Sequence, residues 1–331
     1  MVEQRIRNAR VVGSSPISGI IHSVNPNVQR VPLWRFLAPR FWPIWVGVGL
    51  VRLLILLPFR LLTPIGRTFG RIAWCSAARE RHVAAVNIRL CLSDLEPREV
   101  RRLIRRHFEM LGCALFDTAL VWWASDQRLQ PRVRLEGTEH LAQALARGHG
   151  AILLSAHFTS LEMGARALAM HGAIAITYQT PRNPLIAELS LRARAGRAQR
   201  AISSGSVRDL LQSLKDNLPL WYAPDQTAFG KASAVVPFFG QAAATNVATS
   251  RIARITGATV LPYFPERLAD GSGFLMRILP PFEDFPSDDP IADAARFHAL
   301  IEAHVRRCPE QYVWTYKRFK RPGPDGDPYR R

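Results

Sequence analysis

Two ionisable side chains in the segment SAHFTSLE, residues 155–162, have the types and the spacing for shared proton-transfer chemistry. His157 precedes Glu162 by five positions, which on one continuous helix would put the two side chains on different faces. A turn from a strand into a helix between them would let the imidazole and the carboxylate meet. An imidazole held by a carboxylate can take a proton from a hydroxyl as that hydroxyl attacks. Because a single histidine beside a strand is more often structural than catalytic, this hypothesis depends on the elements around it.

Those elements have the pattern of a strand followed by a helix. Residues 151–156 form a short apolar run, which is typical of a strand covered on both faces. Residues 158–170 carry apolar side chains at helical spacing, with Thr159 or Ser160 available as the N-cap. We therefore expect His157 to lie at the carboxyl end of a buried strand.

Strand and helix patterns alternate from Pro131 onward. This alternation indicates an α/β fold with a mostly parallel sheet flanked by helices. Such sheets bind ligands beyond the carboxyl ends of their strands, where His157 and Asp225 both fall. The predicted strands are 133–137, 151–156, 173–178, 218–224, 259–264 and 274–279, and the predicted helices include 138–147, 158–170 and 249–256.

The amino-terminal part of the chain has a different character. Residues 1–32 are predicted to be a basic, disordered tail, and residues 33–64 a membrane-anchor region rich in tryptophan and phenylalanine. The apolar stretch 41–62 is long enough to span a bilayer, but arginines and prolines interrupt it. Three interpretations stay open for it: a single membrane span, a helix lying in the interface, or a buried core helix. The remaining predicted segments are a helical region at 65–130, the α/β catalytic domain at 131–320 and a polar tail at 321–331.

The charge balance restricts the class of partner. The chain has 44 basic and 26 acidic residues, a net charge of +18, which predicts anionic partners. Nucleic acid is disfavoured among these, since the sequence has no zinc-finger spacing, no RNP-type aromatic pattern and no Walker A loop. The four cysteines are scattered without a CxxC pair, and no HExxH motif occurs, so we predict neither a disulfide framework nor a metal or other cofactor.

Several blocks of sequence, in the right order, resemble one family: the late acyltransferases of lipid A biosynthesis, the lauroyl and myristoyl transferases of Gram-negative bacteria, whose core is of the glycerolipid-acyltransferase type. SAHFTSLE corresponds to the family's His-x4-Asp/Glu motif. The resemblance extends over residues 34–320. The other matching blocks are NPLI at 183–186, WYAPDQ at 221–226, VPFFG at 236–240 and PEQYVWTYKRFK at 309–320.

This resemblance implies an enzyme that transfers an acyl chain from acyl carrier protein to a hydroxyl of an anionic lipid A precursor, without a cofactor. It places the enzyme at the anionic inner-membrane surface, with the catalytic domain on the cytoplasmic side. It also implies catalytic roles for His157 and Glu162, and substrate binding or transition-state support for Arg194 and Asp225. Gap-free counting between the blocks favours Arg194 as the family's arginine and leaves Arg197 as the alternative.

The chemistry expected of these residues is direct transfer. His157 would act as general base, and Glu162 would fix its tautomer and stabilise the imidazolium. The sequence has no GxSxG elbow, which favours direct attack over an acyl-enzyme. Arg194 would either stabilise the oxyanion or bind a phosphate. Two other functions stay open: an acyltransferase of the same fold that acts on a lysophospholipid or aminolipid, and a non-catalytic membrane scaffold that tolerates loss of His157.

Overall fold

The computed structural model describes residues 30–195, 197–203, 205–320 and 327–330. The tails predicted at 1–32 and 321–331 lie mostly outside these residues. The helices are α1 Trp42–Leu54, α2 Phe59–Ser76, α3 Ala78–Cys91, α4 Pro97–Trp123, α5 Asp126–Leu129, α6 Thr138–Leu145, α7 Leu161–His171, α8 Pro184–Ala195, α9 Val207–Lys215, α10 Ala248–Thr256 and α11 Pro290–Arg307. The strands are β1 Val133–Glu136, β2 Ala151–Leu154, β3 Ala175–Tyr178, β4 Arg200–Ser203, β5 Pro219–Tyr222, β6 Ser233–Phe238, β7 Gln241–Asn246, β8 Thr259–Arg267 and β9 Phe274–Ile278.

A seven-stranded sheet in the order β1-β9-β8-β2-β5-β3-β4 forms the centre of the α/β part. Every neighbouring pair in it is parallel except β8 and β9, which are antiparallel. The prediction of a mostly parallel sheet flanked by helices is therefore confirmed. Strands β6 and β7 form a separate antiparallel hairpin.

The sheet is buried on both faces, as the sequence of β2 predicts. Ile152 and Leu154 belong to one apolar cluster, whereas Ala151 and Leu153 belong to the cluster on the other side. All four side chains have at most 1% of their surface exposed. Because successive side chains of a strand point to opposite faces, β2 is anchored from above and below. The loop that follows β2 thus starts from a fixed position.

The amino-terminal apolar stretch is broken into two helices. α1 ends at Leu54, and Pro58 is the N-cap of α2. In the described part of the chain no helix is both long enough and apolar enough to cross a membrane. The core-helix interpretation is wrong for α1, which has no buried residue. The helix lying in the interface stays a prediction.

Helices α2 and α4 pack at very short range. Gly66 and Gly70 of α2 lie against the backbone of α4, where a Cβ on Gly70 would stand 2.1 Å from the Phe108 carbonyl oxygen. Gly112 of α4 makes the same close approach from the other side, since a Cβ added to it would lie 2.1 Å from the Gly66 carbonyl oxygen. Side chains of any other type would push the two helices apart.

Candidate active site

His157 is positioned by the loop that leaves the buried strand β2. The Ser155 N–H donates to the Tyr222 carbonyl at 2.8 Å, which continues the pairing of β2 with β5 beyond the end of the strands. A segment from near the carboxyl terminus holds the other side of the loop. The Val313 N–H donates to the His157 carbonyl at 3.0 Å, and the Thr159 N–H donates to the Gln311 carbonyl at 2.8 Å. Both sides of the histidine are thus tied by backbone hydrogen bonds.

Asp225 is the carboxylate that holds the imidazole. Its Oδ1 lies 2.5 Å from His157 Nδ1, and its Oδ2 accepts the His157 backbone N–H at 3.0 Å. Asp225 follows β5 at the same offset at which His157 follows β2, and these two parallel strands are neighbours. The sequence prediction that both residues lie at one rim of the sheet is confirmed, and the contact is direct.

The expected pairing of His157 with Glu162 is wrong. The predicted helix 158–170 begins only at Leu161, so Glu162 lies in the first turn of α7. There its carboxylate forms an ion pair with the Arg194 guanidinium. A carboxylate at a helix amino terminus is also favoured by the helix dipole. Asp225 therefore takes the orienting position that the sequence analysis gives to Glu162.

Burial and the charge of a neighbouring carboxylate shift the pKa of His157 in opposite directions. Burial by itself lowers the pKa of His157, but the adjacent Asp225 carboxylate, by its charge and its hydrogen bond, raises that pKa above the ordinary 6.5. Burial would raise the pKa of Asp225, and the pairing with His157 lowers it below the ordinary 3.8. With Asp225 only 3% exposed, the carboxylate stays ionised because the imidazole is beside it.

Arg194 lies on α8. Its guanidinium bonds Glu162 and the Ser190 hydroxyl, and it stands over the Tyr178 ring at 5.6 Å from the centroid. Of the two arginines that the sequence leaves open, Arg194 lines the same cleft as His157. Arg197 instead donates to the Ala124 carbonyl at 3.0 Å.

Tyr312 is a site residue that the sequence reasoning missed. Its buried hydroxyl donates to Asp225 Oδ2 at 3.3 Å, and its ring packs edge-on against Phe158 at 5.4 Å between centroids. Burial, followed by the charge of Asp225, raises the pKa of this phenol well above its ordinary value, so it stays a hydrogen-bond donor. The only sequence signal for it is its place in the block PEQYVWTYKRFK.

An open cleft with about 1150 Å³ of empty space lies in front of these residues. The imidazole is 27% exposed, and it borders this cleft. Since Nδ1 is held by Asp225, Nε2 is the nitrogen that can exchange a proton with a substrate. No serine, threonine or cysteine of the described chain is hydrogen-bonded to the imidazole. The cleft is lined by His157, Leu161, Glu162, Thr177, Tyr178, Gln179, Arg194, Trp221, Tyr222, Ala223, Pro224, Gln226, Thr227, Ala228 and Asn246.

One group of side chains in the described residues has the composition of a metal site. Glu266, His304 and Cys308 each offer a ligand atom, and these atoms lie within 4.8 Å of one another. Arg277 and Arg307 both donate to Glu266 Oε2, however, and their positive charges oppose a cation there. The absence of a metal cofactor stays a prediction.

A histidine–carboxylate pair that faces an open cleft, on a mostly parallel α/β sheet, has the geometry that a general base for a substrate hydroxyl requires. The profile of the family "Bacterial lipid A biosynthesis acyltransferase" matches residues 32–321, and the chain belongs to this family. The match covers nearly the same residues as the resemblance found in the sequence.

Individual relatives agree with this assignment. The chain is 32% identical over 295 residues to the lipid A biosynthesis lauroyltransferase of Escherichia coli K12, covering 89% of this chain and 96% of the relative. It is 33% identical over 289 residues to the palmitoleoyltransferase of the same organism, covering 86% and 93%. The myristoyltransferase of that organism is 27% identical over 301 residues, covering 89% and 93%. The chain is thus an acyltransferase of lipid A biosynthesis by family.

Proposed function

We propose that this protein is a membrane-bound O-acyltransferase that moves a fatty acyl chain from acyl carrier protein to a hydroxyl of a lipid A precursor. The observation that carries the proposal is the His157–Asp225 pair, with its buried carboxylate and its imidazole at an open cleft, in a member of the lipid A acyltransferase family. The reaction would take place at the cytoplasmic face of the inner membrane.

The pair supports a direct transfer in which His157 is the general base. Nε2 takes the proton of the acceptor hydroxyl while the hydroxyl oxygen bonds to the thioester carbonyl carbon. The carbonyl electrons move to oxygen and form a tetrahedral intermediate. When these electrons return, the carbon–sulfur bond breaks, and the leaving thiolate takes the proton from the imidazolium. Asp225 keeps Nδ1 protonated throughout and stabilises the transient imidazolium.

Glu162 and Arg194 have a different part in this proposal. Their ion pair places a guanidinium on the cleft wall that His157 also lines. Arg194 would either stabilise the oxyanion of the intermediate or bind an anionic group of a substrate. Glu162 would hold Arg194 in this position, so its loss would act through the arginine and leave the imidazole orientation intact.

The surface of α1 and the charge of the chain support a membrane location and an acidic donor protein. Val46, Leu50 and Leu53 are largely exposed on α1, and Arg40 and Arg52 are near them in sequence. A helix of this kind can lie in the bilayer interface, with arginines reaching lipid phosphates. The net charge of +18 also suits acyl carrier protein, which is acidic.

The test is mass spectrometry of a lipid A precursor incubated with purified protein and a mixture of acyl carrier protein thioesters. We expect a mass gain of one acyl chain, lost in His157→Ala and retained in His171→Ala, a matched control at an exposed histidine of α7. A mass gain that survives His157→Ala would refute the mechanism. Acylation of lysophospholipid alone would refute the acceptor.

A further inference from the structure

Helix α2 is apolar on a face that it turns away from the protein. Its inner face, with Gly66 and Gly70, packs against α4. Leu61, Phe69 and Ile72 recur at helical spacing on a different face, and 44%, 36% and 64% of their surfaces are exposed. A helix on the surface of a soluble protein normally turns polar side chains outward. The exposed apolar row of α2 therefore calls for an apolar environment outside the protein.

A row of arginines borders the exposed apolar row. Arg60, Arg67 and Arg71 recur at spacings of seven and four residues, which places them along one edge of α2. Arg71 pairs with Glu109, whereas Arg60 and Arg67 form no ion pair among the described residues. The sequence around them supplies no negative charge, since residues 30–79 hold eight arginines and no aspartate or glutamate. This edge of α2 therefore fits an anionic partner.

Exposed apolar side chains are concentrated in the helices around this row. Sixteen large apolar side chains of the described residues are exposed, and ten of them fall within residues 34–72. Leu56, between α1 and α2, is 70% exposed, and Leu115 of α4 is 46% exposed. Leu115 is next in sequence to Phe116, whose ring lies 5.5 Å from the ring of Phe69 between centroids. This concentration indicates one contact surface and not a scatter of single exposed residues.

We propose that α2 is a second membrane-contact helix, whose outer apolar face lies in the interface of an anionic bilayer with its arginine edge at the lipid phosphates. The inference rests on the membrane location in the proposed function and extends it from α1 to α2. Apolar side chains enter the boundary between headgroups and acyl chains, and guanidiniums on the flank reach the phosphates. A second copy of the chain, packed through the same face, would bring a second set of arginines to this edge, whereas an anionic bilayer brings the opposite charge.

A membrane contact on α2 sets the orientation of the catalytic part. The three glycines described above hold α2 against α4 at backbone contact. On the same helix α4, His107 Nδ1 lies 3.0 Å from the Glu310 carbonyl oxygen. Residues 311–313, which follow directly, form the backbone hydrogen bonds that hold the loop of His157. A bilayer bound along α2 therefore fixes how the cleft is turned toward the membrane.

Flotation with phosphatidylglycerol vesicles tests the apolar row without any assay of transfer. Ile72→Gln in the full chain should lower the partition coefficient about 5- to 20-fold, as expected for losing one largely inserted aliphatic side chain. Ile255→Gln is the matched control, because Ile255 is 53% exposed on α10 of the α/β part. Partition of wild-type strength in Ile72→Gln, or an equal loss in Ile255→Gln, would overturn the proposal.

A second variant tests the arginine edge. Arg60→Gln removes an exposed charge and should lower the partition onto phosphatidylglycerol vesicles about 5-fold, with no change on phosphatidylcholine vesicles. Arg208→Gln is the matched control, at an exposed arginine of α9 that forms no ion pair in the described part of the chain, and it should bind as the wild type does. Equal binding of Arg60→Gln and the wild type to phosphatidylglycerol would overturn the contact of this edge with lipid.

Light scattering identifies the alternative occupant of the apolar row. A dimer that Ile72→Gln dissociates, with vesicle binding of wild-type strength, would give the face to a second copy of the chain and overturn the proposal. The proposed function fails separately. A protein that binds vesicles through Ile72 and Arg60 but leaves a lipid A precursor unacylated would contradict the proposed function alone. A protein that acylates the precursor, with vesicle binding that neither substitution weakens, would contradict the membrane contact of α2 alone.

Discussion

Replacing Asp225 by asparagine should change the pH at which the enzyme loses activity in acid. In the wild type the Asp225 carboxylate raises the pKa of His157 above 6.5, and a general base works only when it is neutral. Activity should therefore fall as the pH drops through that raised pKa. Asparagine removes the negative charge at position 225, but the burial that lowers the pKa of His157 is unchanged. The pKa of His157 should then fall, and the acid limb of the profile should move to lower pH.

The size of the shift follows from the geometry. An opposite charge at hydrogen-bonding distance, here 2.5 Å, is worth about 1 to 3 pKa units, and a unit corresponds to about 1.4 kcal/mol. The asparagine amide can also donate a hydrogen bond from its NH₂ group to Nδ1. The imidazole proton then lies on Nε2, which can no longer accept a proton from the substrate. By analogy with other histidine–aspartate pairs, the maximal rate should fall about 10²- to 10⁴-fold.

The assay is kcat/KM for acyl transfer between pH 5 and pH 9, with Glu162→Gln measured in parallel. Glu162 is bonded to Arg194, so its variant should lose rate with no comparable movement of the acid limb. The opposite result, with the limb shifted by Glu162→Gln and unmoved by Asp225→Asn, would refute the reasoning that Asp225 holds the base.

Three further predictions concern other parts of the molecule. Tyr312→Phe removes one hydrogen bond to Asp225, which makes the carboxylate more basic, and should move the acid limb slightly to higher pH with a rate loss of about 2- to 10-fold. Gly70→Ala puts a methyl group into the backbone of α4 and should destabilise the fold by about 1–3 kcal/mol or more in chemical denaturation. Leu53→Glu, on the exposed surface of α1, should weaken vesicle binding in flotation assays and leave turnover on detergent-dispersed substrate intact.

Each of these has an outcome that contradicts it. Tyr312→Phe with a profile identical to the wild type would mean that its hydroxyl does not act on the pair. Gly49→Ala in α1 is the control for Gly70→Ala, because nothing lies within 4 Å of its added Cβ and alanine favours the helix by about 1 kcal/mol. Equal effects of the two glycine variants would exclude close packing as the cause. Unchanged flotation of Leu53→Glu would exclude α1 as the membrane contact.

The central strands were predictable because they are short apolar runs bounded by turns. The six predicted strands all occur within a few residues of their observed ends. Strand β4 was missed since Arg200–Ser203 has no apolar run, and its edge position requires none. The β6–β7 hairpin and α11 were also not assigned from the sequence. The break at Pro58 was visible as an interruption, but only the structure turns it into two helices.

The carboxylate partner of His157 could not be identified from the spacing of residues along the chain. Glu162 is the carboxylate nearest in sequence, and proximity in sequence favoured it. The observed partner depends on β2 and β5 being neighbours, a fact of strand order that single-sequence patterns do not contain. Arg194 could be chosen over Arg197 by counting between motifs.

The segment around Tyr312 affects the stage of protein synthesis at which the loop of His157 can take its final position. Residues 311–313 supply the backbone partners of the histidine loop, and Tyr312 reaches Asp225. These residues are made long after His157 and Asp225 have left the ribosome. A nascent chain can therefore complete most of its sheet and still lack a fixed base. The hydrogen bonds that hold the histidine loop from residues 311–313 thus form only after strand β9 and helix α11 have been made.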